Sequence, residues 1–247
     1  MPGPMEGVRV VELGFWVAGP SAGGILADWG AEVIKIEPLD GDPFRGLFLR
    51  GMGIDAPINP PFELDNRGKR SIALNYAEAT GQKIALQLVD RADVFVTNIR
   101  PGALARAGLD YDSLSQRNPR LVYASVTGYG LEGPDRDRAA FDIGAFWSRT
   151  GIAAALTAPG ADPPYQRGAM GDHTAGITAA AGISAALFAR TRTGRGQLIS
   201  TSLLRLGIFT VGWDTNIMLR MGIPAKPMTR TATPNPMLSC YRGSNGR

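Results

Sequence analysis

The sequence predicts an α/β fold built around a parallel sheet, and three observations carry that expectation. Short β-branched runs recur at Val8 to Leu13 (VRVVEL), Glu32 to Glu37 (EVIKIE), Ser71 to Asn75 (SIALN), Asp93 to Asn98 (DVFVTN) and Leu121 to Thr127 (LVYASVT). Stretches of helical spacing lie among them, so the pattern is one of repeated βαβ units whose crossover helices set successive strands parallel. With 247 residues and 44% hydrophobic content, the chain can also bury the core such a sheet needs, in one large domain or one and a half.

In the first unit, VRVVEL is followed by Gly19 to Gly30, where Ile25, Leu26 and Trp29 fall at helical spacing, and then by EVIKIE. Pro38 to Pro61 is rich in Gly, Pro and Asp, which predicts a long ordered excursion with a short helix around Phe44 to Arg50. Long loops in α/β proteins often cover ligands. The second unit runs from SIALN through a helix over about Ala77 to Arg91, with Ile84, Leu86 and Leu88 apolar, to DVFVTN. Tyr111 to Arg117 reads as a short helix that Asn118-Pro119 closes before LVYASVT. Beyond Asp172 a helix extends to about Thr193, GRGQLISTSLL gives a turn and a strand, and a further helix reaches about Met221.

Together these elements make a Rossmann-like α/β domain over residues 1–222. Pro224, Pro227, Pro234 and Pro236 then mark a linker, and MLSCYRGSNGR reads as a strand and the turn of a hairpin. Residues 223–247 are therefore expected to be a linker and the start of a second domain that is largely absent. No internal repeat stands out, which excludes simple solenoids.

Composition narrows the function classes. Twenty-six basic against 22 acidic residues give a formal charge of +4, spread without runs of like charge, which favours an anionic small molecule over nucleic acid. Cys240 and His173 are the only residues of their types, so one chain can assemble neither a disulfide framework nor a Cys/His metal site, and a reducing, cytoplasmic setting is expected. MPGPMEGVRVVEL lacks a basic region followed by a long apolar core, and no stretch approaches the ~18 apolar residues of a membrane span. The expectation is a protein neither exported nor membrane-spanning.

Chemistry has few places to sit. Asp172 stands alone against the Ala- and Gly-rich tract GAMGDHTAGITAAAGISAALFAR, just before a helix. There a carboxylate serves as an N-cap, or as a nucleophile kept ionised by the helix field, and the two roles are compatible. His173 is adjacent, but neighbours at a helix start diverge by roughly 100°, so it should point away from Asp172. No G-x-S-x-G elbow supports a serine triad. Gly-rich turns, LGFWVAGPSAGG and NIRPGALARAG, fall at predicted C-terminal strand ends, where doubly wound sheets bind ligands. The first lacks G-x-G-x-x-G spacing, and its glycines equally suit tight helix-on-sheet packing. Arg100, Arg106, Arg136 and Arg138 cluster near strand ends, which suits a ligand with several phosphates, although each alone also reads as a solvated surface charge.

As a set, VAGPSAGGILADWGAEVIKIEP, NRGKRSIALN, NIRPGALARAGLDYDSLSQRNPRLVYASVTGYG and GDHTAGITAAAGISAALFARTRTGRGQ resemble the family III CoA-transferases, the CaiB/BaiF type, in order and spacing over nearly the whole chain. The resemblance implies that Asp172 is the nucleophile, that coenzyme A and its acyl thioesters are substrates, and that no cofactor is tightly bound. It implies transfer of CoA from an acyl-CoA to a free carboxylic acid through an aspartyl anhydride and an aspartyl-CoA thioester. Val17 and Ala18 before Pro20, Leu74 and Asn75, Asn98, Ile99 and Arg100, Arg106 and Arg138 match positions that contact CoA in that family. The family is also similar in forming interlocked homodimers.

Two alternatives accompany this reading. The same family contains α-methylacyl-CoA racemases, whose pattern has a histidine before an aspartate after a short Arg-Ala segment; here RAAFDI, Arg138 to Ile143, puts Phe141 at that place and removes one of the two bases. A non-catalytic CoA-binding paralogue is the other. Val17 stands where formyl-CoA transferases resemble one another in having glutamine, and Pro-rich sequence replaces an oligoglycine loop before MLSCY, so oxalate is not the expected acceptor.

Overall fold

The computed structural model describes residues 2–46, 51, 53, 56–226, 235–239 and 241–245. Six strands, β1 (Arg9–Leu13), β2 (Glu32–Glu37), β3 (Arg70–Ala73), β4 (Val94–Thr97), β5 (Val122–Thr127) and β6 (Leu198–Ser202), form one sheet in the order β3-β2-β1-β4-β5-β6. Every pairing is parallel. Strands β4 and β5 are buried along their whole lengths, as strands covered on both faces must be.

Alternate residues feed two cores. Val10, Val94, Val96, Val122 and Val126 face α1 (Ala18–Asp28) and the long helix over Met170–Thr193, whose Ala175, Ala179 and Ile183 pack there. Val11, Leu13, Phe95 and Tyr123 face the opposite layer, formed by α3 (Ala79–Val89), α4 (Pro101–Arg106) and α5 (Tyr111–Arg117). The remaining helices are α2 (Pro60–Asn66), α6 (Ile152–Leu156), the long helix as α7, α8 (Leu203–Thr210) and α9 (Gly212–Met221). A π-helical turn at Ile143–Ser148 buries Ala145, Phe146 and Trp147 against the first core.

Helix α7 lies directly on α1 because the facing residues are small. A Cβ added at Gly176 would sit 2.0 Å from Ser21 Oγ, so only glycine allows this approach. Of the glycines in LGFWVAGPSAGG, Gly23 does the same against the sheet, while Gly14 and Gly19 lie close to the Asn98 side chain and Gly24 to the Asp65 carbonyl. At Gly23 an added Cβ would meet Glu12 Oε2 at 1.9 Å, so close packing explains this glycine.

The structure corrects several sequence expectations. Helix α2 was not anticipated, although Asn59 before Pro60 is a start signal: its side chain accepts from Phe62 N–H. NIRPGALARAG is no turn but contains α4, with Pro101 in the first position. The helix expected to reach Met221 is two helices that meet at Val211. Near Phe44 there is a 3-10 turn, Pro43–Arg45, and residues 47–50 lie outside the described residues. The expected terminal strand is replaced among the described residues by a 3-10 turn at Pro236–Leu238; Cys240, Pro227 and Pro234 lie outside them.

A buried charge cluster underlies the end of β1. Lys35 Nζ donates to Glu12 Oε1 at 2.9 Å and to the Gly14 carbonyl at 2.7 Å, and lies 3.0 Å from Asp42 Oδ2. Lys69 Nζ lies 2.7 Å from Glu12 Oε2 and donates to the Pro20 carbonyl and Asn66 Oδ1. Burial pushes the Glu12 carboxyl up, but Lys35 and Lys69 outweigh it and hold the group below its ordinary value. We expect Glu12→Gln, which removes the carboxylate that Lys35 and Lys69 share, to cost about 3–5 kcal/mol in urea denaturation at pH 7. The folded value is depressed, so the Glu12 contribution is present above the unfolded value near 4.5 and is lost as pH falls through the lower folded value. The gap between the two proteins should therefore narrow in acid.

Candidate active site

Strand β1 is flanked by β2 on one side and β4 on the other, so the chain winds outward in both directions from this pair. In such a sheet the loops leaving the C-terminal ends of the two strands diverge and open a crevice. A cavity of about 470 Å³ occupies that place. Phe15, Trp16 and Ala18 line it from the loop after β1, Asn98, Ile99 and Arg100 from the loop after β4, and Thr127 and Gly128 from the end of β5. Asp172 closes it from α7.

The loop after β1 is clasped at two points. The Asn98 side chain accepts from Phe15 N–H at 3.0 Å and donates to the Phe15 carbonyl at 2.8 Å. Trp16 N–H donates to Asp42 Oδ1 at 3.2 Å, and Trp16 has φ of 63°.

Asp172 is not the cap of its helix. Helix α7 begins at Met170, and its N-cap position is Ala169, with φ of 61° and no side-chain cap bond. Asp172 sits in the first turn, half-buried, and among the described residues no group donates a hydrogen bond to its carboxylate. The expectation that the helix field keeps this carboxylate readily ionised is also corrected. The Gly171 N–H is taken by Asp142, which accepts through both oxygens at 3.2 and 3.1 Å. Burial first, then the neighbouring Asp142, with Asp65 adding and His173 opposing, pushes Asp172 up to about 7.

Asp142 is the site residue that sequence reasoning missed. It is buried, and it lies in the quoted segment RAAFDI, where attention fell on Phe141. Its fit requires Gly171: an added Cβ there would lie 2.4 Å from Asp142 Oδ1 and 2.4 Å from Phe146 Cγ. That close approach is why a glycine precedes Asp172.

His173 points away from Asp172, as the helical period requires. Its Nε2 lies 3.0 Å from Asp65 Oδ1 on α2, and it does not line the cavity. The hydrogen bond to Asp65 raises its pKa against the opposing effect of burial.

The positions matched to CoA contacts divide. Ala18, Asn98, Ile99, Arg100 and Arg138 line the cavity, although the Asn98 amide is committed to Phe15. Val17 is buried in a cluster with Phe44 and Phe62, and Leu74 is in the second core, so neither lines it. Asn75 is exposed and spends its side chain on Glu78 and the Ala77 N–H; the neighbouring Tyr76 lines the cavity instead. Arg106, at the far end of α4, is outside the lining but its Nη1 lies 3.7 Å from the Cβ position of Gly102. Arg136 also lines the cavity, which sequence spacing had placed in the same cluster.

The doubly wound sheet thus carries an acid on a helix at its switch point, facing a cavity that Arg100, Arg136 and Arg138 also line. Comparison with known proteins supplies the family: residues 5–247 match CoA-transferase family III, and the chain belongs to it. It is 37% identical over 246 residues to (R)-2-hydroxy-4-methylpentanoate CoA-transferase of Clostridioides difficile, covering 98% of this chain and 61% of that protein. It is 38% identical over 247 residues to cinnamoyl-CoA:phenyllactate CoA-transferase of Clostridium sporogenes, covering 97% and 59%. The crystal structure of a CaiB/BaiF family protein from Brucella suis superposes with a TM-score of 0.84 at 36% identity, covering 92% of this chain and 60% of that one. The chain thus spans about 60% of the length of these relatives. Among the described residues no helix is long and apolar enough to cross a membrane, and no His/Cys/Asp/Glu group is placed to hold a metal ion.

With a single histidine in the sequence, the site offers a clean titration. The His173 imidazole should titrate above 6.5 by NMR, and Asp65→Asn should bring it down. Its folded value is raised, so the stability it contributes is full below about 6.5 and is lost as pH rises through the folded value. An unshifted resonance in the variant would show that the Asp65 contact does not form in solution.

Proposed function

We propose that the full-length protein transfers coenzyme A from an acyl-CoA thioester to a free carboxylic acid, with Asp172 as nucleophile. The observation that carries this reading is the carboxylate itself: half-buried, unpartnered among the described residues, raised to about 7, and facing a cavity that arginines enter. A carboxylate stripped of hydrogen bonds and water is a stronger nucleophile than a solvated one. Arg100, Arg136 and Arg138, which line the cavity, suit the phosphates of CoA.

The steps balance as two exchanges. Ionised Asp172 attacks the thioester carbonyl, the carbon–sulfur bond breaks, and CoA leaves as thiolate with an aspartyl anhydride in place. The thiolate attacks the aspartyl carbonyl and expels the first acid, giving an aspartyl-CoA thioester. The acceptor carboxylate then attacks that thioester, and the released thiolate attacks the acceptor's carbonyl in the new anhydride. New acyl-CoA departs and Asp172 is restored. The oxyanions formed on the way need donors other than Gly171 N–H, which Asp142 occupies.

The racemase reading is less well supported. It needs a second base across the substrate, Phe141 has none, and His173 is turned toward Asp65 outside the cavity. Similarity to CoA-transferases with different named acids leaves the acyl and acceptor groups to be determined by assay. A homodimeric assembly and a cytoplasmic site of action belong to the same proposal.

Asp172→Asn should keep the fold and lose transfer by at least ~1000-fold, and hydroxylamine, by displacing the acid or CoA thiol from the activated aspartyl carbonyl, should leave a hydroxamate at Asp172 in the wild type only. Retention of a tenth of the activity would remove Asp172 from the nucleophile role. Because only the ionised acid attacks, transfer should also rise with pH through about 7. The same raised value makes the acid a cost to the fold: stability is full below the unfolded value near 3.8 and falls as pH rises through about 7. Asp172→Asn should therefore be the more stable protein at pH 8, by roughly 1–3 kcal/mol in urea, and should lose that advantage in acid.

A further inference from the structure

One wall of the cavity is left unused by the transfer chemistry. Trp16 and Phe141 meet edge to face, with ring centroids 6.1 Å apart at 85°, and both line the cavity with Asp172. On its other side Trp16 meets buried Phe44 at 5.9 Å. Phe141 remains 66% exposed, although the next residue, Asp142, is buried against the Gly171 backbone beside Asp172. An open aromatic ring in the wall of a cavity, one residue from the backing of the nucleophile, presents apolar area to whatever is bonded to that nucleophile.

The placement of Trp16 is held against a cost. A bulky side chain at φ of 63° is strained, and such strain persists only where the surroundings over-determine it. Here Asp42 takes the Trp16 N–H, Asn98 clasps the preceding residue, and Lys35 fixes Asp42 from below. The charge of the wall is equally particular. GFWVA and AAFD, the segments that form it, carry no cation. The arginines that line the cavity enter from other positions. A carboxylate at the far end of an acyl chain would find no partner on this wall.

We infer that Trp16 and Phe141 are the acyl-selecting residues of the site and favour a flat, apolar acyl group, of the arylalkanoyl class, over a short or carboxylate-bearing one. This rests on the CoA reading of the cavity. Calorimetry on the full-length protein with CoA and two unreactive thioethers, S-(3-phenylpropyl)-CoA and S-(3-carboxypropyl)-CoA, separates the two. The phenylpropyl compound should bind at least about tenfold more tightly than the carboxypropyl compound. Its advantage should collapse toward onefold in Phe141→Ala, where the ring is exposed, and in Trp16→Gly, where glycine suits the backbone. Trp16→Phe should restore part of it. Equal binding of the two thioethers by the wild type, or an advantage that survives both substitutions, overturns the inference while leaving CoA binding intact. Failure of CoA and both thioethers to bind overturns the CoA reading, and this inference with it.

Discussion

Lys35 is the point from which the working end of the sheet hangs. This ammonium group donates to Glu12 and to the Gly14 carbonyl and forms an ion pair with Asp42, in a place buried from solvent. It thereby ties the last turn of β1 to the loop after β2. Lys69 completes the balance by meeting the other Glu12 oxygen and reaching the Pro20 carbonyl in α1. Two acids and two ammonium groups in one dry cluster are tolerable because each is opposed, and removing either central member, Glu12 or Lys35, takes away an ion-pair partner of two others. A hydrophobic cluster of equal volume could pack there, but it would not direct Asp42 Oδ1 at the Trp16 N–H.

The second constraint works in the opposite sense. Asp142 folds back onto the first turn of α7, where Asp172 sits, and its buried carboxylate takes the Gly171 N–H and adds its charge beside Asp172. The fold accepts a poorly solvated carboxylate at Asp172 and compensates elsewhere, through the close seat of α7 on α1 and the two cores on either side of the sheet. With Asp172 as the proposed nucleophile, reactivity and stability are set against each other at a single side chain.

Much of the fold was legible because the central strands and crossover helices announce themselves by period. VRVVEL, EVIKIE and DVFVTN carry it, and YDSLSQR was placed to the residue by the Asn-Pro that follows it. What escaped notice depended on contacts between distant segments. PPFELDN is only seven residues, and its hydrophobic anchor, Phe62, buries against Val17 and Phe44. Asp172 could be singled out as a lone acid in a small-residue tract, and Arg100 and Arg138 by their places near strand ends. Asp142 could not, since a carboxylate 29 residues before Gly171 reveals its role only when the chain folds back. Asn75 and Tyr76 show the same limit: the sequence marks the turn, but the backbone decides which neighbour faces the cavity.

The close seat of α7 on α1 bears on how the chain is made. Ser21 Oγ meets the Asp172 carbonyl across a separation of 151 residues, and β1 acquires its β4 neighbour only after more than eighty residues. As the polypeptide leaves the ribosome, the glycine- and alanine-lined side of α1 has no cover until α7 follows. Contacts closed over such distances are slow to form, and apolar surface waits meanwhile in water. A ribosome that has finished five strands has therefore released a sheet with one face still incompletely covered, and the helix that brings Asp172 is also the one that seals it.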